Sequence, residues 1–291
     1  MPLDVAKVAA ALPAFSGVVR IGGGGQAEVF RGTDPSGRPT ALKVVNTHMW
    51  GKDRLERELL ALTGVTSPHL PALLDQALTD IEIDGVAHSV LVEEFVEGEP
   101  LDRLIGPQWE EAEALLLMHD LTLALDAVSP KNLVHRDIKP PNVIRRSHDG
   151  RYVLLDLGVA RHQTMTTLTS PGGHPGTPHY RSPEQLRARD DRKLDVRSDL
   201  FNVGLVGFEA LTGEHAFVGR REPEHIYEHR ATRGRSRKLH TYRGDLAQET
   251  KNLVSRLLMP FPNTRFRNAL QTLETIHAAM DADGGRRCSC S

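Results

Sequence analysis

The chain has 291 residues, 39% hydrophobic and 25% charged, which suffices for a sizeable core and matches an ordinary globular composition. Lys and Arg number 36 against 38 Asp and Glu, a net charge of −2, so no global field draws the chain to nucleic acid or a membrane. Its two cysteines, Cys288 and Cys290, exclude a disulfide framework, suit a reducing cytoplasmic compartment, and lack the further ligands of a zinc site.

Residues 8–19 are apolar, but Asp4 and Pro13 spoil a secretory leader, and an amphipathic segment feeding a first strand is expected. Val18–Ile21 and Glu28–Arg31 read as strands around Gly22–Gly25, with a turn at Asp34–Gly37 and another strand at Thr40–Val45. Leu55, Leu59 and Leu62 recur at helical spacing over 53–62. Residues 77–96 predict a hairpin about Asp84-Gly85. Beyond Pro100 the pattern turns helical: 109–128 is rich in Leu and Ala, and Leu200–Leu211 is apolar nearly all round and hence central. Asn202 interrupts that run, and no stretch reaches the roughly 20 apolar residues of a membrane span. Residues 162–176 read as a mobile loop, 219–245 as an exposed polar stretch and 281–291 as a disordered tail.

Four strings carry chemistry. They are Ala41-Leu42-Lys43, then His135-Arg136-Asp137-Ile138-Lys139-Pro140-Pro141-Asn142, then Asp156-Leu157-Gly158, then Ser182-Pro183-Glu184. Upstream, Gly22-Gly23-Gly24-Gly25-Gln26-Ala27 offers backbone N–H groups to phosphate oxygens. The strand-like Glu28-Val29-Phe30 after it fits a strand–loop–strand clamp better than a dinucleotide fold, whose loop opens a helix. Lys43 suits the α- and β-phosphates and needs an acidic partner, for which Glu58 is the candidate and Glu56 its competitor. Asp137 suits a carboxylate that orients an attacking hydroxyl, and Lys139 a cation for the transferring phosphoryl group. Asn142 and Asp156 are hard oxygen ligands for Mg²⁺ held jointly with phosphates.

These residues resemble those of the eukaryotic-type Ser/Thr protein kinases, in particular the compact bacterial forms, over roughly residues 15–280. The resemblance implies an α+β, two-lobed fold. An antiparallel β-rich N-lobe with one helix would span 1–93, a hinge 94–98 and a mainly helical C-lobe 99–280. It implies Mg-ATP as cosubstrate, Gly22, Gly24, Gly25, Ala27, Val29 and Ala41 about the nucleotide, and Glu94 and Val96 at the hinge. It makes Lys43–Glu58 an activating ion pair, Asp137 the base or orienter, and Asn142 and Asp156 the metal ligands. Asp199 would brace the catalytic loop, Arg136 receive an activation-loop phosphate, and Glu184 pair with Arg265. The implied partner is a protein bearing a Ser or Thr acceptor, with transient homodimerisation for phosphorylation between copies. Nucleic acid and membrane are not implied.

Lys139 marks Ser/Thr rather than Tyr kinases. Gly176-Thr177-Pro178-His179-Tyr180 resembles the segment that docks a peptide, with Thr177 against Asp137, and related small-molecule kinases generally lack it. A phosphate at Thr164, Thr166, Thr167, Thr169 or Ser170, Thr169 first, would pair with Arg136 and Arg161. Departures from the family pattern are Ala27 for a glycine, Leu157 for Phe, Ser182 for Ala, and Glu93 at the gatekeeper position. Either Glu93 pairs with Lys43 in an inactive state, or the register is off by one. These departures leave a nucleotide-binding pseudokinase or scaffold as the alternative, and a small-molecule kinase, which the 176–184 segment opposes, as the third reading. His225 with His229, and the basic cluster Arg233, Arg235, Arg237 and Lys238, read as solvated surface.

Overall fold

The structure, a computed structural model, describes residues 2–23, 27–47, 56, 59–157, 178–187, 194–219 and 222–284. The chain divides into two compact units. The first takes in the described residues up to Thr66 and Pro71–Val96; the second takes in Ser67–Leu70 and the described residues from Glu97 onward.

In the first unit, helix α1 (Val5–Ala11) starts where the Asp4 carboxylate accepts from Ala6 N at 2.8 Å. The N-terminal segment is thus helical before it reaches the sheet. Five antiparallel strands follow: β1 (Ser16–Gly23), β2 (Ala27–Thr33), β3 (Pro39–Asn46), β4 (Leu73–Ile83) and β5 (Val86–Glu94), in spatial order β1-β2-β3-β5-β4. The β2–β3 turn is held by Asp34, whose carboxylate accepts from Ser36 N at 2.8 Å and Arg38 N at 2.9 Å. Asp84 and Gly85 join β4 to β5 with φ of 52° and 74°, the doubly positive pattern of a tight hairpin. Side chains alternate across the sheet. Phe30, Leu42, Val44, Val90 and Val92 enter a core with Val8 and Leu12 of α1. Val29, Ala41, Lys43, Leu91 and Glu93 therefore take the other face.

The second unit holds a small sheet of β6 (Gly98–Pro100), β7 (Val143–Arg146) and β8 (Tyr152–Leu154), in that order. Its helices are α2 (Leu101–Leu104), α3 (Glu111–Val128), α4 (Pro183–Arg187), α5 (Val196–Thr212), α6 (Glu224–Ala231), α7 (Leu239–Tyr242), α8 (Gln248–Leu257) and α9 (Ala269–Ala282). Helix α5 is buried along almost its whole length. It packs on α3 and α8. Gly204 and Gly207 permit this approach: a Cβ on Gly204 would lie 2.6 Å from Leu257 Cβ, and one on Gly207 would collide with Met118 Sδ.

Three segments differ from the sequence expectation. Ser67–Leu70 joins the helical unit because His69 Nδ1 bonds the Tyr152 carbonyl at 3.0 Å and Leu154 N donates to His69 O at 2.9 Å. Within 219–245, α6 and α7 form around buried Tyr227, Ala231 and Leu239, so the stretch is anchored rather than uniformly exposed. Helix α9 also runs to Ala282, two residues into the predicted tail. Among the described residues no helix is long and apolar enough to cross a membrane.

Glu184 of α4 meets Arg265 in a two-pronged pair, Nη1–Oε1 2.6 Å and Nη2–Oε2 2.7 Å. The guanidinium is fully buried and also donates to the carbonyls of Arg197 and Met259. Removing one partner of such a pair strands the other charge, at about 3–5 kcal/mol. Arg265→Met is therefore expected to lower unfolding free energy by about that amount in urea titrations. A loss below about 1 kcal/mol, typical of an exposed pair, would show that the pair does not hold α4 in place.

Candidate active site

The sequence-predicted residues fall into two groups, one in each unit. In the first, Gly22 on β1 pairs with Val29 on β2, Val29 with Lys43 on β3, and Lys43 with Leu91 on β5. Ala41 stands opposite Glu93. The Lys43 ammonium lies 2.6 Å from Glu93 Oε2, with the two side chains 14% and 9% exposed. The carboxylate at this position thus pairs with the lysine, the contact that one of the two sequence readings of Glu93 foresaw. Glu58, Gly24 and Gly25 lie outside the described residues; Glu56 is exposed. Ala27 opens β2, opposite Val45. Glu94 closes β5, its amide donating to Ala72 O at 2.8 Å and its carboxylate accepting from Ala72 N at 3.2 Å. Val96 is buried just beyond.

The second group is built on buried Asp199, near the start of α5. Its Oδ2 accepts from His135 N at 2.7 Å and its Oδ1 from Arg136 N at 2.8 Å. Each of these bonds contributes roughly 0.5–1.5 kcal/mol, and together they offset a left-handed backbone at Arg136, φ 69°. His135 ties the loop further. Its Nε2 bonds the Leu155 carbonyl at 2.7 Å, and its Nδ1 accepts from Asp137 N at 3.2 Å, which fixes the neutral tautomer with the proton on Nε2. The Asp137 carboxylate is held between Lys139 Nζ at 3.0 Å and Asn142 Nδ2 at 3.1 Å.

Strand register brings Asn142 and Asp156 to one end of the β7–β8 ribbon. Val143 pairs with Leu154, so the residue before one strand and those after the other leave side by side, and Leu155 N donates to Asn142 O at 2.8 Å. Asn142 commits its amide N–H groups to Asp137 O and Oδ2, and its Oδ1 is the acceptor end of the amide. Asp156 is exposed, with a left-handed φ of 60°. An amide oxygen and a carboxylate are the hard donors that suit Mg²⁺. His225 and His229 sit exposed on α6, and no group of three His, Cys, Asp or Glu able to hold a metal occurs among the described residues.

The segment around Ser182-Pro183-Glu184 is pinned at several points. Ser182 and Gln185 cap α4 reciprocally, Ser182 N to Gln185 Oε1 at 2.7 Å and Gln185 N to Ser182 Oγ at 3.3 Å. Gln185 also donates to the Arg136 carbonyl at 2.9 Å, coupling this segment to the Asp137 loop. Sequence reasoning missed that role, because a lone Gln carries no pattern. The Tyr180 hydroxyl bonds Glu209, and His215 Nε2 donates to His179 O at 3.1 Å while its Nδ1 accepts from Phe217 N at 3.2 Å. Thr177, Arg161 and the candidate phosphosites in 164–170 lie outside the described residues.

The sequence profile described as "Protein kinase domain" matches residues 15–276. Serine/threonine-protein kinase PknL of Mycobacterium tuberculosis is 37% identical over 208 residues, 69% of this chain and 49% of its own length. Serine/threonine-protein kinase PrkC of Bacillus subtilis is 30% identical over 271 residues, 90% of this chain and 40% of its own. The chain thus spans about half the length, or less, of these curated relatives. The crystal structure of Rad53 1-466 in complex with AMP-PNP superposes with a TM-score of 0.71 at 22% identity, covering 90% of this chain and 64% of that one. The fold is therefore shared.

Burial pushes the Asp199 carboxyl up to about 7 from 3.8, against the two amides that pull the other way. With the folded value above the unfolded one, the folded state binds the extra proton. Stability drawn from this group is present below about pH 4 and is lost as pH rises through about 7. The stability of the wild type relative to Asp199→Asn is expected to fall between those limits, by up to about 1.4 kcal/mol per pH unit. A difference that is flat with pH in urea titrations would mean that Asp199 is ionised throughout.

Proposed function

Since the chain belongs to the protein kinase domain family, we propose that it transfers the γ-phosphate of Mg-ATP to Ser or Thr hydroxyls of proteins. The observation that carries this reading is the Asp137 carboxylate, held between Lys139 and Asn142 on a loop whose backbone is fixed by Asp199. A carboxylate so placed accepts the hydrogen bond of an incoming hydroxyl and aims its oxygen. Lys139, 3.0 Å away, offsets charge gathering on the transferring group. Asn142 Oδ1 and Asp156 would hold Mg²⁺, which when bound neutralises charge on the phosphates. Lys43 takes the α- and β-phosphates, with Glu58 as a further partner. Gly22, Gly24, Gly25 and Ala27 lend backbone N–H groups, Val29 and Ala41 an apolar surface, and Glu94 and Val96 the hinge contacts. The kinase domain spans residues 1–280. The reading includes a cytoplasmic reaction and transient pairing of two copies, with Thr169 the favoured acceptor on the loop.

Purified wild type incubated with [γ-³²P]ATP and a generic protein acceptor is expected to transfer label. Asp137→Asn should be slower by about 10²-fold or more, the range for loss of a positioned acid–base group. Equal transfer by both proteins would remove the role given to Asp137. Wild type that is stabilised against heat by nucleotide yet transfers nothing would be a binding scaffold instead.

A further inference from the structure

Strand pairing sets Ala41 opposite Glu93 and Lys43 opposite Leu91, so these four side chains share one face of the sheet. Ala41 projects no further than its Cβ. The Glu93 side chain passes it diagonally and reaches Lys43 Nζ at 2.6 Å. On its other side Glu93 pairs with Leu73 of β4, so its backbone is fixed between two neighbours. The carboxylate is 9% exposed. Burying a charge there is costly, and an apolar residue would fill a sheet position more cheaply. A carboxylate in this place is explained by what it does to Lys43.

We infer that Glu93 is a positioning residue for phosphoryl transfer, a sheet-borne carboxylate that aims the Lys43 ammonium at the triphosphate. The inference rests on the kinase reading above. Both partners of the pair sit on adjacent hydrogen-bonded strands, whose spacing the ladder sets. The lysine is thereby oriented by the sheet itself. A second carboxylate such as Glu58 would add to this arrangement, not replace it. An ammonium has three N–H donors, and Glu93 takes one of them.

A double-mutant cycle tests this, read as Mg-ADP affinity by calorimetry. Glu93→Gln alone is expected to weaken binding about tenfold, because Lys43 loses its orientation. In a Lys43→Met background the sign reverses and Glu93→Gln tightens binding, because an unpaired carboxylate then repels phosphate. The same change in both backgrounds would overturn the proposal, since it would show that Glu93 acts without Lys43. In turnover assays, Glu93→Gln is expected to lower kcat/KM for ATP at least tenfold and leave KM for the protein acceptor unchanged. A parallel rise in both KM values would mark general damage and count against the proposal. Should Glu93→Gln fail to fold, Glu93→Asp retracts the carboxylate by one methylene and keeps its charge. Its kcat/KM for ATP is expected to fall about threefold or more, and unaltered kinetics would end the case. If wild type shows no turnover the kinase reading fails, while the affinity cycle still decides the role of Glu93.

Discussion

The arrangement in the helical unit depends on one carboxylate accepting two consecutive backbone amides. Asp199 lies in a helix with nearly every residue buried, so its position is set by α3 and α8 rather than by solvent. From there it fixes His135 and Arg136. That leaves Arg136 with a positive φ and turns the next residue, Asp137, toward Lys139 and Asn142. The core of the unit thus dictates the geometry of its polar end. A change in α5 packing would reach Asp137 through two hydrogen bonds.

Strand register plays the corresponding part in the other unit. Alternation sends Leu42 and Val44 into the core and leaves Ala41 and Lys43 on the opposite face beside Glu93. The face each side chain takes is set locally, and the pairing of β3 with β5 then brings Glu93, 50 positions on, beside Lys43. The β7–β8 ribbon does the same for Asn142 and Asp156, which are fourteen positions apart (156 less 142) yet leave the sheet at one end. In both cases two-residue periodicity and hydrogen-bonded pairing bring separated polar groups together.

Much of this was legible in the sequence because each string combines an unusual chemistry with a fixed spacing. Lys43, Asp137, Asn142 and Asp156 stand in such strings, Asp199 was reached only through the family resemblance, and the Asp84-Gly85 turn and the apolar run of α5 announce themselves by local rules. The Lys43–Glu93 pair was legible only as one of two readings, because it depends on cross-strand register, which sequence periodicity leaves uncertain by one residue. The placement of His69 with the helical unit depends on its ring nitrogen and its carbonyl meeting Tyr152 and Leu154, more than 80 positions away, and no local pattern encodes such contacts. Residues 219–245 looked exposed because their charge conceals Tyr227, whose ring is buried while its hydroxyl bonds the Arg181 carbonyl. Composition averages over a segment, whereas one aromatic side chain is enough to anchor it.

His215 has a consequence of a different kind. Its ring joins the Tyr180 segment to the turn after α5, giving one proton to a carbonyl and receiving another from a main-chain amide. Burial holds its pKa down at about 3. A second ring proton would point at that amide donor, so this imidazole behaves as a rigid heteroaromatic strut. Mild acidification, which charges an ordinary histidine, would leave this joint unprotonated, and the shape of the neighbouring Tyr180 turn is to that extent insulated from acid stress.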